Sequence, residues 1–229
     1  MFVHREPALK YESLPVVEEN GVRWYQTPSG VWVPSVTSVI GHATKHKLDN
    51  WKKRVGQQEA DRVCRVAAHR GTTLHEAVER YLLNEDVSVD NHPGVSFMFA
   101  SLKPYLRKHI NNIIALEKPL YSETLGVAGR VDCIAEWNGV PSIIDFKTSS
   151  KEKDRKWIDG YFTQVSSYSC MMFDMFRMRI NNLVILMVTN DGTVQVFEEP
   201  LRTSQIKQMY EYVTEFKNNH DAYGNRKNE

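Results

Sequence analysis

Apolar positions along the chain follow two rhythms. From Leu48 to Leu83 they recur every three or four residues, as on a helix with one buried stripe, and breaks are expected near Gly56 and Gly71. A second helix is predicted over about residues 95–110, kinked or interrupted at Pro104. After Asn112 alternation takes over. Residues 113–122, 126–137 and 140–148 read as strands, the last two joined at Asn138-Gly139, the strongest two-residue hairpin signal. A helix over about 154–176 follows, then strands at 180–189 and 193–198 around Asn190-Asp191-Gly192, and a closing helix at 203–218. Near the start, residues 22–33 suggest one or two short strands around Pro28-Ser29-Gly30, and Ser35 or Thr37 is placed to cap a first helix. The order α-β-β-β-α-β-β-α is a mixed α/β architecture, read as one domain over 1–229. Within it, about 34–111 form a helical elaboration and about 112–218 a sheet core. The tail from Asn218, rich in Asn and Lys, is expected to fray.

Composition changes this picture little. With 229 residues, 41% hydrophobic and 25% charged, the chain is long enough to bury a core and unlike disordered or membrane-spanning sequences. The net charge of +1 neither favours nor excludes a polyanionic partner, so any nucleic-acid argument must be local. Cys64, Cys133 and Cys170 are odd in number and widely spaced, which supports neither a disulfide framework nor a CxxC zinc site. His4, Arg5 and Glu6 stand where a secretory or transit segment would be apolar or acid-poor, so a cytoplasmic protein without a signal or transit peptide is expected.

The Asn138-Gly139 hairpin carries the candidate chemistry. If these are its two loop residues, Trp137 pairs with Val140 and the same register sets Asp132 opposite Asp145. Their Cβ atoms would then lie about 4.5–5.5 Å apart. Lys147 shares the face of Asp145, and its opposite number is Arg130. Two facing carboxylates repel unless a cation sits between them, and a divalent metal held by few acids keeps sites open for water and phosphate. Val131, Cys133, Ala135, Ile144 and Phe146 would form the other, apolar face. The plain alternative is a solvated hairpin whose Asp145 pairs with Lys147 or Arg130. Against it, Ile143-Ile144-Asp145-Phe146-Lys147 is too apolar for an exposed edge.

These residues also carry a family likeness. Gly129-Arg130-Val131-Asp132 and Ile144-Asp145-Phe146-Lys147-Thr148 resemble the G-x-x-D and I-D-x-K-T elements of RecB-like PD-(D/E)XK nucleases. Gly71-Thr72-Thr73-Leu74-His75 resembles that family's G-x-x-x-H element, and Gln164 with Tyr168 its Q-x-x-x-Y helix. Residues 34–39, Trp51-Lys52-Lys53-Arg54 and the stretch into Asp132 resemble the mitochondrial genome maintenance exonucleases in particular, over about Val33–Phe216. Unlike those proteins the chain shows no organelle presequence, so a bacterial or phage setting is expected.

The resemblance implies the PD-(D/E)XK fold and hydrolysis of DNA, preferentially single-stranded, from free ends to short products with 5′-phosphates. Asp132 and Asp145, helped by the carbonyl of Phe146, would bind Mg2+ or Mn2+, and Lys147 would orient water or stabilise phosphorane charge. His75 would be a further ligand; otherwise it is a surface partner of Glu79, four residues on. Glu123 is either near the metal through water or a surface acid. Gln164 and Tyr168 share a helix face and either reach the site and DNA or pack under the sheet, and Thr148 either faces phosphate or closes a strand. Trp51 beside three cations either stacks on a single strand or lies on a solvated helix. Three scattered cysteines cannot hold the iron-sulfur cluster of some relatives. Two rival readings are a flap or structure-selective endonuclease and a non-catalytic DNA-binding subunit; no membrane partner is implied.

Overall fold

The computed structural model describes residues 1–5, 13–89 and 91–220. A small antiparallel sheet comes first: β1 (Val16–Glu19), β2 (Val22–Gln26) and β3 (Trp32–Pro34). The first of these strands lies outside the predicted segment. It pairs with β2 through Asn20-Gly21, whose φ values of 52° and 74° suit a tight hairpin. Helix α1 (Val36–Ala43) starts at Ser35, whose hydroxyl accepts from the Ser38 amide at 3.0 Å.

Helices α2 (Lys45–Val55) and α3 (Gln57–Leu82) meet at Gly56, where φ is 86°. The predicted break at Gly71 does not occur. One helical glycine costs about 1 kcal/mol, too little to interrupt a helix whose next turns bury Leu74, Ala77, Val78 and Leu82. None of the α2 residues is buried, and in α3 only Ala60 is buried before Leu74. This exposed span, residues 45–70, holds eight Lys and Arg against three acids, a concentration the near-neutral total conceals. Helix α4 (Pro93–His109) continues through Pro104, which lies on its solvent side while Met98, Phe99, Leu102 and Leu106 are buried on the other.

The main sheet has five strands in the order β4 (Ile110–Ser122), β5 (Val127–Trp137), β6 (Val140–Ser149), β7 (Asn182–Thr189), β8 (Val194–Pro200). Only β6 and β7 run parallel, because the 3₁₀ turn Arg155–Trp157 and α5 (Asp159–Phe176) carry the chain back across the sheet. Helix α6 (Thr203–Asn219) closes the described fold; it includes Asn218 and Asn219, and the rest of the tail expected to fray, residues 221–229, lies outside the described residues. The molecule is a mixed α/β structure with a mixed central sheet flanked by helices. Along β7, Leu183, Ile185 and Met187 join α1, α5 and α6 in one core, while Val184, Leu186 and Val188 join α3 and α4 in the other. A strand buried on both faces accounts for the unbroken apolar run from Leu183 to Val188. Among the described residues no helix is long and apolar enough to cross a membrane.

One close approach fixes the depth of α5. A Cβ at Gly129 of β5 would lie 2.9 Å from Cε1 of Tyr168, whose ring is buried in the core. At Gly71 a Cβ would meet nothing within 4 Å. Gly129→Ala should therefore lower stability by about 1–3 kcal/mol, whereas Gly71→Ala should raise it by about 1 kcal/mol. Urea unfolding of both variants measures this, and equal effects would refute the packing account.

Candidate metal centre

Asn138 and Gly139, with φ of 52° and 82°, form the β5–β6 turn, and the ladder runs from Trp137↔Val140 to Cys133↔Ile144 in the expected register. The next couple would be Asp132 and Asp145, and there the ladder ends. Asp132 Oδ2 instead accepts a hydrogen bond from the Phe146 amide at 2.9 Å, so a side chain of β5 takes the place of a backbone carbonyl. Both acids are buried, at 8% and 1% exposure. Their face is not reserved for chemistry, because Ile134 and Ile143 on it pack beneath α5; Val131, expected on the opposite face, packs there as well. Arg130 does not oppose Lys147, since the two strands have already parted; it pairs with Pro119 in β4.

The other edge of β5 is also interrupted. Leu116 pairs with Cys133 and Lys118 with Val131, and between them Glu117 adopts φ 48° opposite Asp132. A non-glycine residue held there costs on the order of 1–3 kcal/mol and calls for a compensating role. Its carboxylate lies 2.8 Å from Arg130 Nε and 4.0 Å from His75 Nδ1. Sequence reasoning missed Glu117. Within Ala115-Leu116-Glu117-Lys118-Pro119 it reads as an ordinary strand acid beside a lysine, and nothing local marks it out.

His75 reaches this point from α3. Its Nε2 lies 2.8 Å from the Phe146 carbonyl, to which it donates, and this turns Nδ1 toward Asp132 Oδ2 at 3.5 Å. The Phe146 carbonyl thus orients the histidine in this structure. Burial alone would lower the His75 pKa, but Asp132, with Glu117 and Asp145, outweighs it and raises the value to about 9. Glu79 lies toward Glu117, and burial, then that neighbour, raises its pKa.

Asp145 is held from two directions. Lys147 Nζ lies 2.5 Å from Oδ2, and Gln164 Nε2 of α5 donates to Oδ1 at 3.0 Å. Burial pushes the Asp145 carboxyl above the ordinary range, against the pull of Lys147. For Lys147, burial acts downward, yet Asp145 and Asp132 carry its pKa above the ordinary value. Its ammonium also lies 5.2 Å from the centre of the Tyr161 ring. Gln164 Nε2 is 3.4 Å from Tyr168 Oη, which joins the two residues of the Q-x-x-x-Y element. Of the remaining expected residues, Glu123 accepts from Ser29 at 2.6 Å away from these acids, Thr148 is half-buried opposite Val188, and Trp51 is half-buried on α2.

His75, Glu117 and Asp132 each offer a ligand atom within 4.8 Å of the others, the one such group among the described residues. Asp145 Oδ2, although close to Lys147, receives no well-aligned hydrogen bond. One imidazole and several hard oxygens suit a divalent cation. The charges agree. Glu117, Asp132 and Asp145 are balanced by Lys147, Arg130 and protonated His75, and exchanging that proton for a divalent ion would leave one positive charge to meet a phosphate.

No family model matches the chain. The Homo sapiens and Mus musculus proteins named mitochondrial genome maintenance exonuclease 1 are 30% and 28% identical to it over 131 residues, 53% of this chain. The Xenopus tropicalis protein of that name is 28% identical over 129 residues. Over these residues the chain is similar to these exonucleases. It spans 38% of the length of the two mammalian relatives. A solved structure from Eubacterium rectale matches 70% of this chain and 69% of its own, with TM-score 0.47 and 14% identity, too loosely to bear on function.

The histidine shift predicts a pH dependence of stability. A folded-state pKa of about 9 against 6.5 unfolded means that His75 contributes stability fully below pH 6.5 and loses it as pH rises through 9. The contribution is at most about 3 kcal/mol. Urea unfolding in EDTA should show wild type and His75→Asn converging as pH rises from neutrality; a constant gap would refute the assignment.

Proposed function

We propose that the chain is a divalent-metal-dependent nuclease that hydrolyses single-stranded DNA from its ends. The observation carrying this reading is the meeting of His75, Glu117 and Asp132 within 4.8 Å beside the buried Asp145–Lys147 pair. The exonuclease names of its relatives and the basic, unburied span of residues 45–70 support it. Such a span suits a strand held by its phosphates.

In this reading Asp132, Asp145, His75 and Glu117 hold Mg2+ or Mn2+. A bound ion would lower the pKa of an attacking water and neutralise charge on the phosphate. Lys147, already an ammonium, directs its positive charge at the oxygen that gains negative charge. Gln164 keeps the Asp145 carboxylate from turning, and the Phe146 carbonyl keeps the His75 ring in place. Arg130 restrains Glu117. These groups are set before substrate arrives, so little reorganisation remains for the reaction.

Linear single-stranded DNA should be degraded in Mg2+ and spared in EDTA, while a circular single strand should stay intact. Asp145→Asn and Lys147→Ala should each lower kcat by about 10²–10³-fold, with folding checked by circular dichroism. Cleavage that survives EDTA or either substitution would reject the site, and opening of the circle would reject end dependence alone.

A further inference from the structure

Trp157 has the most exposed aromatic ring among the described residues, at 71%. Its position is nevertheless well fixed. The 3₁₀ turn Arg155–Trp157 is capped by Asp154, and the Trp157 amide donates to the Asp154 carbonyl at 3.0 Å. Arg155 donates to Asp159 at 2.6 Å and to Glu199 at 2.9 Å, and its guanidinium lies 4.2 Å from the centre of the Phe162 ring. A large apolar ring displayed on so restrained a turn lacks the usual explanation of a loose loop.

Its surroundings indicate what it meets. The ring borders a cavity of about 580 Å³ whose lining includes Lys47 of α2, Lys156, Arg202 and Gln208. In the chain, Trp157 also leads into α5, which sends side chains to the metal centre. Tyr161, four residues on, lies against the Lys147 ammonium, and Gln164, seven residues on, bonds to Asp145. Trp157 thus precedes by a few residues the α5 side chains that touch the site's lysine and acid.

We propose that Trp157 stacks on a base of the single-stranded DNA that the nuclease holds. This rests on the nuclease reading above. A flat ring beside cations holds single strands without regard to sequence, because every base offers a π face. Trp157 would therefore govern strand affinity and leave chemistry to the acids.

The experiment compares wild type, Trp157→Ala and Trp157→Tyr on a linear single-stranded oligonucleotide in Mg2+. It also measures binding of the same labelled strand to Lys147→Ala protein with and without Trp157→Ala. Trp157→Ala should raise KM and weaken binding about tenfold, hold kcat within about twofold, and leave Tm unchanged because the ring is exposed. Trp157→Tyr should restore most of the loss. If wild type degrades the strand and Trp157→Ala matches it in KM and affinity, the stacking role is overturned and the nuclease reading stands. If wild type neither binds nor degrades single strands, both fall.

Discussion

The site depends on a single hydrogen bond that should have been made by main chain. Where β5 and β6 reach their two aspartates, the Phe146 amide turns from the facing strand to the carboxylate of Asp132. This parts two strands that would otherwise zip past each other. The donor is satisfied as the interior demands, a carboxylate is fixed below the surface, and an opening forms that groups from both helical layers can enter.

Those groups come from opposite sides of the sheet. His75 reaches in from the α3 layer and Gln164 from the α5 layer, while Glu117 comes from the neighbouring strand in a backbone conformation few such residues adopt. The protein supplies its own countercharges, Lys147 on one acid and the histidine proton near another. Fixed cations reconcile the carboxylates in the protein by itself.

Much of this was legible in order along the chain. Asn138-Gly139 set a register that holds through Cys133↔Ile144, and β-rich runs bounded by turn signals located all five strands of the main sheet. The failures have physical causes. Asn20-Gly21 is as strong a turn signal, but the charged end of Val16–Glu19 hid the strand before it. Gly71 looked like a break because a propensity says nothing of the tertiary burial that outweighs it. Glu117 was invisible because its part depends on a left-handed backbone and on pairing across β4 and β5, neither of which leaves a local pattern. His75 and Phe146 lie 71 residues apart, and only the packed layers reveal that one orients the other.

The contact between Gly129 and the Tyr168 ring has an evolutionary corollary. Helix α5 rests here on bare main chain, so no intervening side chain can be swapped to let the helix ride higher or lower over the acids. The spacing between helix and carboxylates is thereby referred to one landmark, from which Gln164 reaches Asp145. Chemistry anchored in that way can outlast most of the sequence that once surrounded it.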